Sequence, residues 1–128
     1  TRCLTFCTVL GNDFAQLERR LAEPIAQGRV RLLSISFDPA HDDPARLSGY
    51  LARFGDRGPG WEAARPLTPQ GLDQLTAAFG ITVLADGAGG YTHNAAIHLV
   101  DPAGRLVAIL DMDQVEQVTA AVLGRLAS

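Results

Sequence analysis

Eight residues, VRLLSISF from Val30 to Phe37, set the tightest constraint on the fold. The run is rich in β-formers and nearly continuous in its apolar content. A strand that is apolar on both faces must be covered on both, which is the pattern of a parallel strand buried in an α/β sheet. Asp38-Pro39 ends the run. Two helices then announce themselves by local chemistry. Asp43-Pro44 and Thr68-Pro69 each read as an N-cap followed by proline in the first helical position. Leu47, Tyr50, Leu51 and Phe54 supply one face of the first, and Leu72, Leu75 and Phe79 one face of the second, with Gly55 and Gly80 as stops.

Before the strand, an apolar stripe runs Cys3, Cys7, Leu10, Phe14, Leu17, Leu21 in alternating steps of four and three, the spacing of a helix face. Gly11 and Asn12 interrupt it, so the spacing predicts a loop carrying the cysteines and a helix starting near Asn12, bent or ended at Pro24 and closed by Gly28. Beyond Gly80, ITVL is a short strand, and the loop ADGAGG delivers Tyr91-Thr92-His93 to the start of another. AAIHLV and LVAIL flank Asp101-Pro102-Ala103-Gly104, a tight-turn composition, and form a hairpin. Val115, Val118, Val122 and Leu126 mark a closing amphipathic helix. The expected architecture is a single α/β sandwich spanning residues 1–128.

The remaining bulk properties exclude function classes. A net charge of −3 argues against nucleic acid as the main partner, because phosphate binding needs a basic face. No apolar run approaches the ~18 residues of a membrane span, and no signal segment is present. The chain does not begin with Met, and the expectation is a soluble piece of something longer.

Both cysteines, Cys3 and Cys7, fall in the first seven positions, with three residues between them. Residues four apart on a helix have Cβ atoms about 5–6 Å apart, slightly beyond the ~3.5–4.5 Å of a disulfide. A loop or first helical turn closes that gap, so the pair can bridge when oxidised and chelate a soft metal when reduced. The plain alternative is two small buried hydrophobes. His93 follows a glycine-rich loop, where ligands and catalytic groups often occur. His98, five residues on, is turned to the opposite face by strand alternation and reads as a packing or surface histidine; His41 lies in a polar turn with Asp42 and Asp43. Asp38 stands at the C-terminal end of the buried strand, where α/β sheets present functional groups, and reads equally as a turn residue before Pro39. Two thiolates and an imidazole form a soft donor set that favours copper; structural zinc wants four protein ligands, and there is no third cysteine, while a Cys-Cys-His zinc site with an open position stays open on ligand type alone.

Three segments in this order, TRC-x-x-x-C, SFDPAHDDPARLSGYLARFG and GYTHNAAIHLVDPAGRLVAIL, resemble the Sco/SenC family of copper-binding proteins that assemble cytochrome c oxidase. The resemblance implies a thioredoxin-like sandwich in which Cys3, Cys7 and His93 bind one copper, Cu(I) or Cu(II), with Asp38 as its acidic neighbour. It also implies that the strand preceding the cysteine motif is missing from this chain. It further implies a domain in the bacterial periplasm, tethered to the inner membrane by an N-terminal helix outside this sequence, with the copper-site subunit of the oxidase or another copper chaperone as partner. Three departures stand out. Leu4 and Thr8 follow the cysteines where the family usually has proline, and Asn94 follows His93 where Ser or Thr is common.

The expected function is therefore a copper chaperone. Two rivals share its residues. A thiol–disulfide oxidoreductase would use Cys3 and Cys7 as a redox-active catalytic pair with no metal, and a redox or copper sensor would use the same site to change a protein contact.

Overall fold

The computed structural model describes residues 6–55, 60–85, 87–88, 91–94 and 96–128, and of residues 6, 7 and 91–93 the backbone alone. In chain order the elements are α1 (Phe6–Arg20), α2 (Ala22–Ala26), β1 (Leu32–Ile35), α3 (Pro44–Arg53), β2 (Trp61–Ala64), α4 (Pro69–Phe79), β3 (Val83–Ala85), β4 (Tyr91–His93), β5 (Ile97–Val100), β6 (Leu106–Leu110) and α5 (Val115–Leu126).

The two cap-proline starts form as expected. The Asp43 carboxylate accepts the Arg46 N–H at 2.8 Å, and the Thr68 hydroxyl accepts the Gly71 N–H at 3.0 Å. Each side chain satisfies a donor that the first turn would otherwise leave open. Helix α4 closes at Gly80, which takes the left-handed conformation (φ 66°); the N–H of Ile81 then reaches back to the Thr76 carbonyl at 2.8 Å.

Two expectations are corrected, and one strand is added that the sequence did not announce. Helix α1 begins at Phe6 and runs straight through Gly11 and Asn12, so Cys7 lies in its first turn and not in a preceding loop. Gly11 does not break the helix because it faces the Phe54 ring, which occupies the space a side chain would need. The segment after GDRGPG is a strand, β2, paired in parallel with β1 in the register Leu32↔Trp61 to Ile35↔Ala64. Finally, β4 and β5 are separate strands with different partners, β3 and β6, so simple alternation does not relate His93 to His98.

The core gathers Leu17 and Leu21 of α1 and its end, Leu32, Trp61, Ile97, Leu99, Val115 and Val118. Trp61 is its centre: 1 % exposed, it donates its indole N–H to Ser34 Oγ at 2.9 Å, and its ring meets those of Phe14, Phe54 and Tyr50 at centroid distances of 5.7, 5.9 and 6.2 Å. Helix α5 packs on α1, and at that seam Asp13 is 2 % exposed with its Oδ2 accepting the Asp113 N–H at 2.9 Å. Burial pushes the Asp13 carboxyl above its ordinary range, and the nearby Asp113 charge pushes the same way, against that one hydrogen bond.

Among the described residues, β1 pairs only with β2 and β5 only with β6. A cavity of about 1130 Å³ runs along both strands, bordered by Leu32–Ile35 on one side and Ile97–Val100 on the other. Leu33, Ile35 and Val100 are 49 %, 38 % and 50 % exposed, high values for residues of an apolar sheet. The continuous apolar run of β1 is thus built for a sheet wider than these two pairs provide.

Candidate metal centre

The end of β1 is the best-defined part of the site. Ser36 extends the ladder, its N–H donating to the Ala64 carbonyl at 2.8 Å, and the chain then turns. The Asp38 N–H donates to Ser36 Oγ at 3.0 Å, while the Ser36 hydroxyl donates to Asp42 Oδ2 at 2.6 Å. The Asp38 carbonyl accepts the N–H groups of His41 (3.1 Å) and Asp42 (2.9 Å). Arg65, just past β2, donates to the Pro39 carbonyl at 2.8 Å, and Arg46 donates to that of His41 at 3.0 Å. Two of the carboxylates in this turn are buried, Asp38 at 7 % and Asp42 at 1 % exposure. Aspartates are almost never so enclosed unless partnered. Asp42 serves to hold the turn, and the turn holds Asp38 against the cavity.

The second part is the strand end at His93. β3 and β4 pair antiparallel with Val83 opposite His93, Leu84 opposite Thr92 and Ala85 opposite Tyr91. Asn94, the next residue, accepts the Thr82 N–H on its Oδ1 at 2.7 Å and donates from Nδ2 to the Gly80 carbonyl at 2.9 Å. His98, on β5, has Nε2 3.1 Å from the Phe79 carbonyl and its ring edge-on to Phe79 at 5.1 Å. A carbonyl can only accept, so that nitrogen carries the proton. The ring is engaged in fixing the end of α4 to β5.

The third part is the start of α1. Cys7 belongs to its first turn, and Cys3 lies outside the described residues. The side chains of Cys7 and His93 are likewise outside what is described. The cavity that borders β1 and β5 is lined also by Leu10, Asp38 and Asn94. Those three are, in turn, three residues past Cys7, the expected acidic neighbour itself, and the residue after His93. Helix α1 beyond Cys7, the turn after β1 and the residue after β4 therefore border one cavity. Among the described residues no three His, Cys, Asp or Glu side chains group closely enough to hold a metal ion. What the sequence reasoning missed is the pair Ser36 and Asp42, which fixes the turn, and the Asn94 amide. SFDPAHDD showed acidic turn composition but not which carboxylate is buried.

The family model described as SCO1/SenC matches residues 1–128, the whole chain. The chain belongs to the SCO1/SenC family. Solved structures agree on the fold. A SCO1/SenC family lipoprotein from Bacillus anthracis superposes with a TM-score of 0.83 at 21% identity, covering 98% of this chain and 76% of that one. ScoI of Bradyrhizobium japonicum, determined with copper bound, gives 0.76 at 24% identity, covering 96% and 77%. Apo Sco1 from Thermus thermophilus gives 0.73 at 25% identity, covering 97% and 73%. No curated protein sequence matches. The thioredoxin-like sandwich read from the sequence is the fold of this chain. It spans about three quarters of the length of these relatives. The donors expected from the sequence, two thiols and an imidazole, are of the soft kind that suits copper.

Proposed function

We propose that this protein is a copper chaperone that binds one copper ion through Cys3, Cys7 and His93 and passes it to the copper-site subunit of cytochrome c oxidase during assembly. The observation that carries the reading is the family match over the full chain, within which all three donors lie. The convergence of Leu10, Asp38 and Asn94 on one cavity supports it, since each is in or beside a segment that supplies a donor or its acidic neighbour.

In this reading copper is cargo. The reduced thiolates of Cys3 and Cys7 bind it together with the neutral imidazole of His93, and three donors leave room for an incoming ligand from the acceptor protein. Transfer is ligand exchange, in which each thiolate of the acceptor replaces one donor here and no electron moves. Asp38, fixed at the cavity wall, supplies negative charge near the ion. The work takes place in the bacterial periplasm, with the domain tethered to the inner membrane.

The test is titration of the reduced full-length protein with cuprous ion against a competing chelator. The expected result is one ion per chain, with affinity falling sharply in Cys3→Ser, Cys7→Ser or His93→Ala. Unchanged affinity in His93→Ala defeats the mechanism. A thioredoxin-like fold equally accommodates thiol–disulfide exchange by Cys3 and Cys7. Exchange activity that persists in His93→Ala, without stoichiometric copper binding, favours that second reading.

A further inference from the structure

The β3–β4 pair is a weakly specified piece of structure. It has three residue pairs, and its connection contains three glycines. On the β3 side burial does little to fix the register: only Val83 is half-buried, while Leu84 is 61 % exposed and Ala85 is exposed too. Where no face is buried, strand register is free to slip, and a slip of one residue turns every side chain to the opposite face. For His93, the last residue of β4, that is the difference between facing a site and facing away from it.

The Asn94 amide supplies what burial does not. In an extended ladder the pair after Val83 and His93 would be Thr82 and Asn94. Here the Asn94 side chain takes that place, accepting from Thr82 at 2.7 Å and donating to Gly80 at 2.9 Å. Its anchor is fixed. Gly80 is the left-handed cap of α4, Ile81 is tied back to Thr76, and the neighbouring Phe79 carbonyl is held by His98. The clamp reads two backbone groups, the Gly80 carbonyl at the cap of α4 and the Thr82 N–H that leads into β3, and in the register seen here Asn94 meets both.

We infer that Asn94 is a positioning residue, whose side-chain amide locks the register of β4 against the end of α4 and so sets where His93 is presented. As a statement about copper, this rests on the function proposed above. The test uses the full-length protein and two variants. Asn94→Ala removes both hydrogen bonds. Asn94→Asp, of the same shape, keeps the acceptor for Thr82 and loses the donor to Gly80. In the metal-free protein, the NMR contact between backbone protons of Val83 and His93 should be present in wild type, weakened in Asn94→Asp and lost in Asn94→Ala, with helix content by circular dichroism unchanged. Cuprous affinity should fall in the same order, by roughly 10-fold or more for Asn94→Ala, the effect typical of residues that orient a metal ligand.

Retention of the Val83–His93 contact in metal-free Asn94→Ala overturns the inference, and so does unchanged copper affinity in a protein whose His93→Ala variant binds weakly. If His93→Ala binds copper like wild type, it is the copper reading that has failed, and the metal-free contact alone then decides the role of Asn94. If Asn94→Ala does not fold, the same comparison is read from Asn94→Asp.

Discussion

Replacing Gly11 with alanine sets two known effects against each other. Gly11 lies inside α1, where alanine is favoured over glycine by about 1 kcal/mol. If nothing else mattered, Gly11→Ala would stabilise the protein. A Cβ at this position, however, would overlap the tip of the Phe54 ring, 2.5 and 2.6 Å from Cε2 and Cε1 and nearer still to Cζ. The ring cannot simply retreat. Tyr50 meets it edge-on at 5.1 Å, Trp61 lies at 5.9 Å, and the Arg53 guanidinium is 5.8 Å from its centre. Overpacking of this kind costs about 1–3 kcal/mol, which outweighs the gain in helix propensity at all but its lower end. Two other helical glycines provide matched controls. Gly49 in α3 and Gly124 in α5 have nothing within 4 Å of where a Cβ would be. Alanine there should stabilise by up to about 1 kcal/mol each. In urea unfolding at 25 °C, Gly11→Ala should fall below wild type in midpoint, and the two controls at or above it, with slopes unchanged. If Gly11→Ala rises with its controls, the seat of α1 against α3 is not as described. The placement of the turn carrying Cys7 is then in doubt as well, because Gly11 is one helical turn beyond it.

Two pH-dependent outcomes follow from the carboxylates. Burial holds the folded-state pKa of Asp13 above its ordinary 3.8. The folded protein therefore keeps a proton that the unfolded chain has released, and stability drops as pH rises from 3.8 through the folded value. Asp13→Asn, which keeps an acceptor for Asp113, should raise the thermal midpoint at neutral pH, with the advantage vanishing below pH 3.8; an advantage that persists in acid counts against the burial argument. Asp101 behaves oppositely. The Arg105 N–H foremost, then the Arg105 side chain and the Ala103 N–H, hold its carboxyl below 3.8. Its stabilisation is present above 3.8 and is lost as pH falls through the folded value. Asp101→Asn should lower the midpoint at neutral pH and flatten that acid-side loss, and a variant with the wild-type pH profile would show that the β5–β6 turn does not depend on the charge.

The parts of this fold that were legible in the sequence are those whose causes are local. Asp43-Pro44, Thr68-Pro69 and Gly80 each act within one helical turn, and each stands where expected. β2 was not legible. WEAA has neither alternation nor a run of β-branched residues, and it is a strand because β1 lies beside it. The start of α1 was misread for the same kind of reason: glycine at position 11 looks like a break until Phe54, 43 residues on, is seen to need the space. Of the site, the placement of Asp38 just past the end of β1 could be read, since strand ends in α/β sheets are marked by a change of composition; that Leu33 and Ile35 of this strand stand exposed could not. The Asn94 clamp could not, because its partners, the cap residue Gly80 and Thr82 just before β3, come to it 14 and 12 residues away through the fold.

The lone indole has a practical consequence. Trp61 is the sole tryptophan of the chain, and it touches side chains from α1 and α3 while belonging to β2. Its emission therefore reports on three elements at once from a single dry environment, undiluted by any second fluorophore of its kind. A red shift marks the moment those elements part, so the intact molecule carries a built-in optical gauge of its own cohesion, needing no label.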